Sequence, residues 1–467
     1  MCGIFGCFEN NYDNISVLMY EGLTSLQHRG QDSCGISTSK YSVKGKGLVR
    51  DIFTSEKLSS INDYCAIGHV RYATSGTSIK EDRTIAERKT IQPFIIDSDD
   101  NFPRISMCHN GNLKKINGNL IEENISDSWL IIDEFKSKLK ELCLNDKSEI
   151  NVDIIWCVCE YLYKILEGSY TLLFIIDGFG MIAIRDRYGI RPLSYGMNNN
   201  SYVVSSETCA ISTVGYRVTR DIRPGEVIFF EKGKMPVFRR TSMKTCLSPC
   251  LFEYIYFSRS DSVVDEINIY NARYSIGCLL GKHIETLEWS KNIDVIVPVP
   301  DSSFPFALGV QSILKKPLHQ GLIKNTYIER TFIMENEKLI QKNVKRKLNV
   351  NHNVVSGKNV LIVDDSIVRG NTSRHIVSLL KSSFAKNVYF SSGAPPILYP
   401  NHYGIYIPTN KELIASGRNI SDVADIIGAK EVVYNDLSHI LHSLKKINPL
   451  IENFETSMFE SKDISFR

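Results

Sequence analysis

Although the chain carries 12 cysteines, no two of them form a CxxC pair; the closest spacings are Cys157 with Cys159 and Cys246 with Cys250. That lack argues against a zinc site and against the disulfide framework of a small secreted domain. Reduced, mostly buried thiols in a cytoplasmic protein are expected. Long apolar runs are missing too. The nearest, Leu172 to Ile184, is broken by Asp177, Gly178 and Gly180, well short of the ~20 residues that span a bilayer. The N-terminus has no basic segment ahead of an apolar core, so no signal peptide is expected. Charge excess is absent as well: a formal net +3 favours neither nucleic acid nor an anionic membrane as partner. There is no internal repeat and no low-complexity tract. A globular chain of 467 residues is too long for one compact core, and two domains are expected.

The most informative stretch is NVLIVDDSIVRGNTSR, Asn359 to Arg374. Val360 to Val363 form a short, β-branched apolar run that reads as a buried strand. It ends in two adjacent carboxylates, Asp364 and Asp365, and a turn of small residues follows. Ile376, Val377, Leu380 and Phe384 then recur at helical spacing. Such a turn can aim backbone N–H groups at a phosphate, and the helix end adds a favourable dipole. The acidic pair can accept from ribose hydroxyls or hold Mg2+, which prefers hard oxygen ligands. A lone acidic pair after a strand would be an ordinary βα turn; the full run is more specific. It resembles the fingerprint of type I phosphoribosyltransferases, which bind phosphoribosyl pyrophosphate (PRPP). The resemblance implies that Asp364 and Asp365 face the ribose and the metal. Ser366, Ile367, Val368, Arg369, Gly370, Asn371 and Thr372 would wrap the 5′-phosphate.

The chain opens MCGIFGCF. With the initiator Met removed, Cys2 would offer an α-amine of pKa about 7.7–8.0 and a thiol near 8.5. One residue could then supply both nucleophile and base. From position alone, a buried cysteine at the start of a strand is the simpler reading. Four further segments change that balance: LQHRGQDSCGI (Leu26 to Ile36), GHVRYATSG (Gly68 to Gly76), CHNGNL (Cys108 to Leu113) and ISDS (Ile125 to Ser128). With Cys2, and in this order, they resemble the N-terminal-nucleophile (Ntn) glutamine amidotransferases. The resemblance implies that Cys2 attacks the glutamine amide while Asn110 and the Gly111 N–H form the oxyanion hole. Arg71 would bind the α-carboxylate, Asp127 the α-ammonium, and Thr74 would belong to the same glutamine site. The chain departs from the family at Trp129, where an acidic residue is usual.

Gly168 to Gly196 alternates apolar runs with glycine turns, which reads as antiparallel strands with a hairpin near Asp177-Gly178. Arg185, Asp186, Arg187 and Arg191 cluster beside a turn and receive no functional assignment. The Ser-, Thr- and Pro-bearing run from Arg239 to Leu251 marks a domain boundary, giving domains at 2–240 and 250–467. Asp294 to Val299 reads as a second buried strand, followed by PDSS and a helix bearing Phe306, Ala307, Val310 and Ile313. Two such βα units point to a parallel sheet with ligand at the strand C-termini. Resemblance adds Ser302 to the metal site.

Gly321 to Lys347 is cationic with little apolar periodicity, as in a lid that closes on an anion. The family resemblance assigns Lys324, Arg330 and Lys347 to PRPP, with departures at Thr326 and Glu329. Some family members ligate an iron–sulfur cluster with a cysteine at the place of Cys250. Here Asn401 takes one equivalent place and no cysteine follows Cys278, so four cysteine ligands cannot be assembled and no cluster is expected. The tail has a helical pattern at Leu437, Ile440, Leu441 and Leu444, then loses regularity, and its last residues are expected to be poorly ordered.

Taken together, the halves resemble one family, the glutamine–PRPP amidotransferases. The implied fold is α/β with α+β: a four-layer αββα Ntn-hydrolase domain, then a type I phosphoribosyltransferase domain with a mainly parallel sheet. Implied too are glutamine and PRPP as substrates, Mg2+ as cofactor, purine nucleotides as feedback inhibitors, and a homodimer or homotetramer. An amidotransferase for another phosphosugar and a non-catalytic PRPP sensor are the alternatives. A DD–IVRG turn has no evident use in the first, and intact Cys2, Arg71, Asn110, Gly111 and Asp127 count against the second.

Overall fold

The first strand, GIFGCF, has no polar side chain on either face and so demands burial on both, and the computed structural model shows how this is met. It describes residues 2–9, 14–72, 90–99, 102–122, 125–146, 149–325, 348–405 and 409–461. Two antiparallel sheets occupy the first half. In spatial order the first runs β12 (Arg217–Asp221), β10 (Ser194–Asn198), β11 (Ser201–Ser205), β1 (Gly3–Phe8), β4 (Cys65–Arg71), β2 (Ser33–Thr38), β3 (Ser42–Lys46). The second runs β14 (Val237–Arg240), β13 (Glu226–Glu231), β9 (Gly180–Arg185), β8 (Leu166–Ile176), β6 (Ile105–Ile116), β5 (Phe94–Ile96), with β7 (Asn119–Leu120) paired to β6.

Period-2 geometry then assigns each side chain to a layer. Phe5 and Cys7 of β1 point out, against Ile15, Met19 and Leu23 of α1 (Ile15–Ser25). Ile4 and Phe8 point in, and meet Cys108, Leu173 and Met181 of the facing sheet. On that sheet's outer face, Leu172 and Phe174 pack on α2 (Asp127–Asp146) and α3 (Val152–Ile165) through Phe135, Leu139, Ile155 and Val158. The result is αββα. The hairpin expected near Asp177-Gly178 joins β8 to β9.

The second half holds a parallel sheet of β15 (Val295–Pro298), β16 (Asn359–Asp364), β17 (Asn387–Ser392) and β18 (Glu431–Tyr434) in that spatial order. Both faces are covered, as a continuous apolar run requires. Leu361, Val363 and Tyr389 meet α4 (Ile269–Glu285) and α5 (Phe304–Leu314); Val360, Ile362 and Phe390 meet α6 (Asn371–Ser382) and α7 (Ile420–Ile427). A further helix, α8 (Leu437–Ile447), buries Ile440 and Leu444.

One sequence expectation changes, and two stretches that carried no assignment gain a place. Helix α6 stops at Ser382, and Phe384 sits beyond it at φ 64°, 76 % exposed rather than in the core. Phe384 N–H bonds Lys381 O and Ala385 N–H bonds Leu380 O, both at 3.0 Å, a Schellman stop with Phe where Gly is usual. Irregular as it is, the tail docks: Ile451, Phe454, Met458 and Phe459 are core residues, and Glu455 exchanges backbone bonds with Pro249 and Leu251. Its last residues, 462–467, lie outside the described residues. Finally, the unassigned charge cluster joins the halves. Arg185 makes two bonds to Asp265, at 2.8 and 2.9 Å, and Arg191 reaches Glu253 at 3.4 Å.

That joint holds a pH-sensitive carboxylate. Asp221, half-buried, stands beside Asp265 with Arg185 as their shared cation; it accepts from Ser194 Oγ at 2.5 Å. Burial and the Asp265 charge push it up from 3.8 to about 6. Between those values the folded chain binds a proton that the unfolded chain lacks, so stability is gained as pH falls through 6. Asp221→Asn is expected to stabilise by on the order of 3 kcal/mol near pH 8 and by roughly half of that near pH 5. Denaturant unfolding at both pH values checks it; equal shifts would contradict the assignment.

Candidate functional sites

β1 is the middle strand of its sheet, paired to β4 so that Gly3 faces Val70 and Ile4 faces His69. This register carries Cys2 to the end of β4, where Arg71 stands. Cys2 is partly exposed, its Sγ 3.9 Å from Tyr72 O. Its carbonyl accepts from Arg29 Nε at 2.9 Å. Arg29 is itself buried and bonds Glu207 at 2.6 Å and Glu253 at 2.8 and 3.0 Å. Burial alone would raise the Glu207 carboxyl, but His28 and Arg29 hold it well below the usual range. Cys2 is thus anchored through its own carbonyl by a network of buried, paired charges.

Asn110 and Gly111 are read most simply as a hairpin turn when taken alone, but they lie within β6, opposite Thr171 and Tyr170 of β8. Gly111 has φ 156°, and a Cβ there would stand 2.0 Å from Ser169 O; only glycine fits. Asn110 is 1 % exposed, and its Nδ2 finds no acceptor among the described residues. A buried donor without a partner is costly, by about 1–3 kcal/mol, so this amide is a strong candidate to meet a ligand. β1 and β4 both pack on β6, and the Cys2 thiol lies within electrostatic range of Cys108 and His109. Asp127 opens α2 and accepts from Leu113 N at 3.0 Å and Ser128 N at 2.7 Å. Thr74 lies outside the described residues.

A second cluster forms at the C-terminal ends of β15 and β16. Asp364 and Asp365 are 7 % and 5 % exposed. Asp365 accepts from Ser302 Oγ at 2.5 Å and Ser366 Oγ at 2.7 Å, and its N–H bonds Asp364 Oδ1 at 2.9 Å. Burial, then the neighbouring Asp365 charge, pushes Asp364 well up; burial also raises Asp365, against its two serine donors. Two buried, adjacent carboxylates with raised proton affinity suit a hard divalent cation. Gly370, at φ 75°, precedes α6, and a Cβ on it would lie 2.3 Å from Ile414 Cδ1. Ile367 and Val368 turn their side chains into the cores, so only their backbone can meet a ligand. Asn371 and Thr372 are exposed at the helix start.

Two cations at this cluster hold carboxylates of the chain itself: Lys324 pairs with Asp301 and Arg369 with Glu412, each at 2.6 Å. Arg330 and Lys347, like Thr326 and Glu329, lie outside the described residues. Sequence reasoning missed Glu207, Glu253 and Arg29. The LQHRG motif contained Arg29, but nothing local tells that its partners lie 178 and 224 residues away. At the place compared with a cluster ligand, Asn401 donates to Glu455 and Ser457 and accepts from Tyr403 N and Ile405 N.

Comparison with known proteins bears on both sites. Residues 265–390 match the model of the phosphoribosyl transferase domain. The chain is 39 % identical to an amidophosphoribosyltransferase of Escherichia coli, over 98 % of this chain and 92 % of that protein. It is 36 % identical to the Saccharomyces cerevisiae amidophosphoribosyltransferase, over 98 % and 91 %. The solved glutamine PRPP amidotransferase of B. subtilis, complexed with ADP and GMP, superposes with a TM-score of 0.82 at 34 % identity, covering 99 % of this chain and 97 % of that one. A solved allosteric regulatory enzyme of purine biosynthesis gives a TM-score of 0.83, also at 34 % identity, covering 99 % and 96 %. With such likeness along nearly its whole length, the chain belongs to the amidophosphoribosyltransferase family, pentosyltransferases of the first step of purine biosynthesis.

Proposed function

We propose that this chain carries out the family reaction with the residues its sequence singles out, divided between a glutaminase domain at 2–240 and a phosphoribosyltransferase domain at 250–467. The observation that carries the reading is the buried, unpartnered Asn110 amide on a strand packed against Cys2's own strand. In the proposed sequence the Cys2 thiol, its proton taken by the α-amine freed by Met1 removal, attacks the glutamine γ-carbonyl. Asn110 Nδ2 and Gly111 N–H receive the oxyanion, and the proton passes to the departing ammonia. Water then cleaves the thioester and releases glutamate. Arg71 and Thr74 with Asp127 orient the substrate at its α-carboxylate and α-ammonium.

Ammonia next attacks C1 of PRPP, pyrophosphate leaves, and 5-phosphoribosylamine forms. Asp364 and Asp365 accept from the ribose and the turn from Ser366 to Thr372 cradles the 5′-phosphate. Lys324, Arg330 and Lys347 close on the pyrophosphate. Asp364, Asp365 and Ser302 would hold Mg2+, which when bound offsets charge on the leaving pyrophosphate. The burial and raised proton affinity of the two aspartates, and the bond from Ser302 Oγ to Asp365, support this. We further propose no iron–sulfur cluster, a cytoplasmic location, a homodimer or homotetramer, and control by purine nucleotides. The ADP and GMP bound by the B. subtilis relative support the last, and the lack of disulfide bonds among the described cysteines supports the location.

Cys2→Ala is expected to lower glutamine-dependent pyrophosphate release by at least about 10^3-fold, leaving ammonia-dependent release at raised pH intact. Retained glutamine use would refute the nucleophile assignment. Asp364→Asn with Asp365→Asn should abolish release with either donor. If that double variant still turned over PRPP with ammonium, the acidic pair would not be the ribose site. Glutamine hydrolysis by the unaltered chain should rise when PRPP and Mg2+ are added; equal rates would sink the coupling of the two sites.

A further inference from the structure

Asp127 is better furnished than a lone ammonium-binding carboxylate needs to be. A carboxylate offers about four acceptor positions. Three are filled from within the chain: Ser128 N at 2.7 Å and Ser128 Oγ at 3.2 Å on Oδ1, and Leu113 N at 3.0 Å on Oδ2. One direction remains for a ligand. The hydroxyl that fills the third position is itself held from behind. His109 Nδ1 stands 2.8 Å from Ser128 Oγ, and Gln92 Nε2 donates to the same oxygen at 3.4 Å. Gln92 Oε1 closes the ring by accepting from His109 N at 2.6 Å. Ser128, His109 and Gln92 are 5 %, 2 % and 7 % exposed, whereas the Asp127 side chain keeps 20 % of its surface. A buried polar ring thus backs a carboxylate that reaches solvent.

We infer that Ser128, locked by His109 and Gln92, is a positioning residue that fixes the Asp127 carboxylate plane and thereby sets discrimination for the α-ammonium group of glutamine. This deepens the reading of Asp127 as the ammonium site and rests on it. The carboxylate is the stronger acceptor, since hydrogen bonds to charged groups exceed neutral ones. The Ser128 hydroxyl therefore donates to Asp127, and His109 donates to Ser128 through Nδ1. Burial keeps the His109 ring neutral, against the pull of Asp127, so it braces the hydroxyl without a charge that would compete for the carboxylate. The α-ammonium of glutamine lies several bonds from the amide that reacts. A fixed Asp127 therefore acts on binding and selectivity, and bond making at Cys2 proceeds as before.

The test pairs glutamine with glutaric acid monoamide, which has the same amide and carboxylate but no α-amino group. Ser128→Ala in the full-length enzyme is expected to raise KM for glutamine about tenfold, the scale of one lost charge-assisted bond, with kcat little changed. Hydrolysis of the monoamide should keep its kcat/KM, and Ser128→Thr should restore glutamine KM. Ammonia-dependent pyrophosphate release checks that the variants fold. Equal losses on both amides would mean a merely structural role and overturn the inference, as would an unchanged glutamine KM. Asp127→Asn separates the two levels. If it leaves glutamine KM unaltered, Asp127 is not the ammonium site and both readings fall. If it raises KM while Ser128→Ala does not, the positioning role alone falls.

Discussion

Arg29 is the side chain on which the joint between the two halves and the placement of Cys2 both depend. It has no solvent exposure at its side chain, and neither has Glu207; Glu253 has 1 %. An isolated guanidinium so placed would be untenable, since the effective penalty for burying a charge is several kcal/mol. Here two carboxylates and the Cys2 carbonyl take up its donors. Glu253 is shared onward with Arg191 and with Ser258 Oγ, and Glu207 with His28, Arg259 N and Ser262 Oγ. Such a network is weak evidence for stability, because apolar replacements can serve as well. Its value lies in direction: a planar fork with fixed partners holds the residue after the initiator in one place. Removing any one carboxylate would leave a buried cation underpaired.

The other site is organised by repulsion. Asp364 and Asp365 are neighbours in sequence, buried, and raised in proton affinity. The parallel sheet sets this conflict at the end of β16, where the strand must stop and the turn begin. Ser302 and Ser366 supply donors that favour the charged form of Asp365, and Arg273 adds a positive field. Arg273 is itself short of anions: its bonds go to Tyr254 O, Ser258 O and Ser260 Oγ, and burial lowers it to about 10. Carboxylates of raised proton affinity and a buried guanidinium short of anions thus lie within electrostatic range of one another.

What the sequence disclosed follows a physical division. Short-range information suffices where chemistry is carried by consecutive residues: the β16 run, the acidic pair, the Gly370 turn and the PDSS step all fall where periodicity and turn chemistry put them. It fails where a partner is remote. Nothing near Arg185 announces Asp265, 80 positions on, and a charge cluster beside a turn looks the same whether solvated or buried between sheets. It fails again at Asn110-Gly111, a turn dipeptide by local preference that tertiary packing draws into a strand. Phe384 marks the limit of periodicity, which continues one step past the point where the backbone has already turned. The ring behind Asp127 was hidden for the same reason as Arg185, since Gln92 and Ser128 meet only when β5, β6 and α2 come together.

The segment from Gly393 to Ile405 gives these separate facts a common frame. At its start, Gly393 N and Ala394 N bond the carbonyls of Asp364 and Asp365 at 2.8 and 2.7 Å. At its end, Tyr403 O accepts from Ser169 Oγ at 2.8 Å and from Arg191 Nη2, His402 O accepts from Asn112 Nδ2 at 2.9 Å, and Gly404 lies against Gly111. One stretch of backbone is therefore bonded to the acidic pair and to the strand that carries Asn110. Asn401 controls its far turn by spending its whole amide: the oxygen caps two backbone N–H groups and the nitrogen ties to Glu455 and Ser457. Glu455 belongs to the tail that pairs with Leu251, two residues before Glu253, which holds Arg29. A shift of the backbone at Asp364 and Asp365 would thus meet hydrogen bonds, rather than loose chain, on its way to Gly111. The docked tail and the Asn401 tie add hydrogen bonds to that path, so the irregular part of this fold is specified by named contacts as its sheets are.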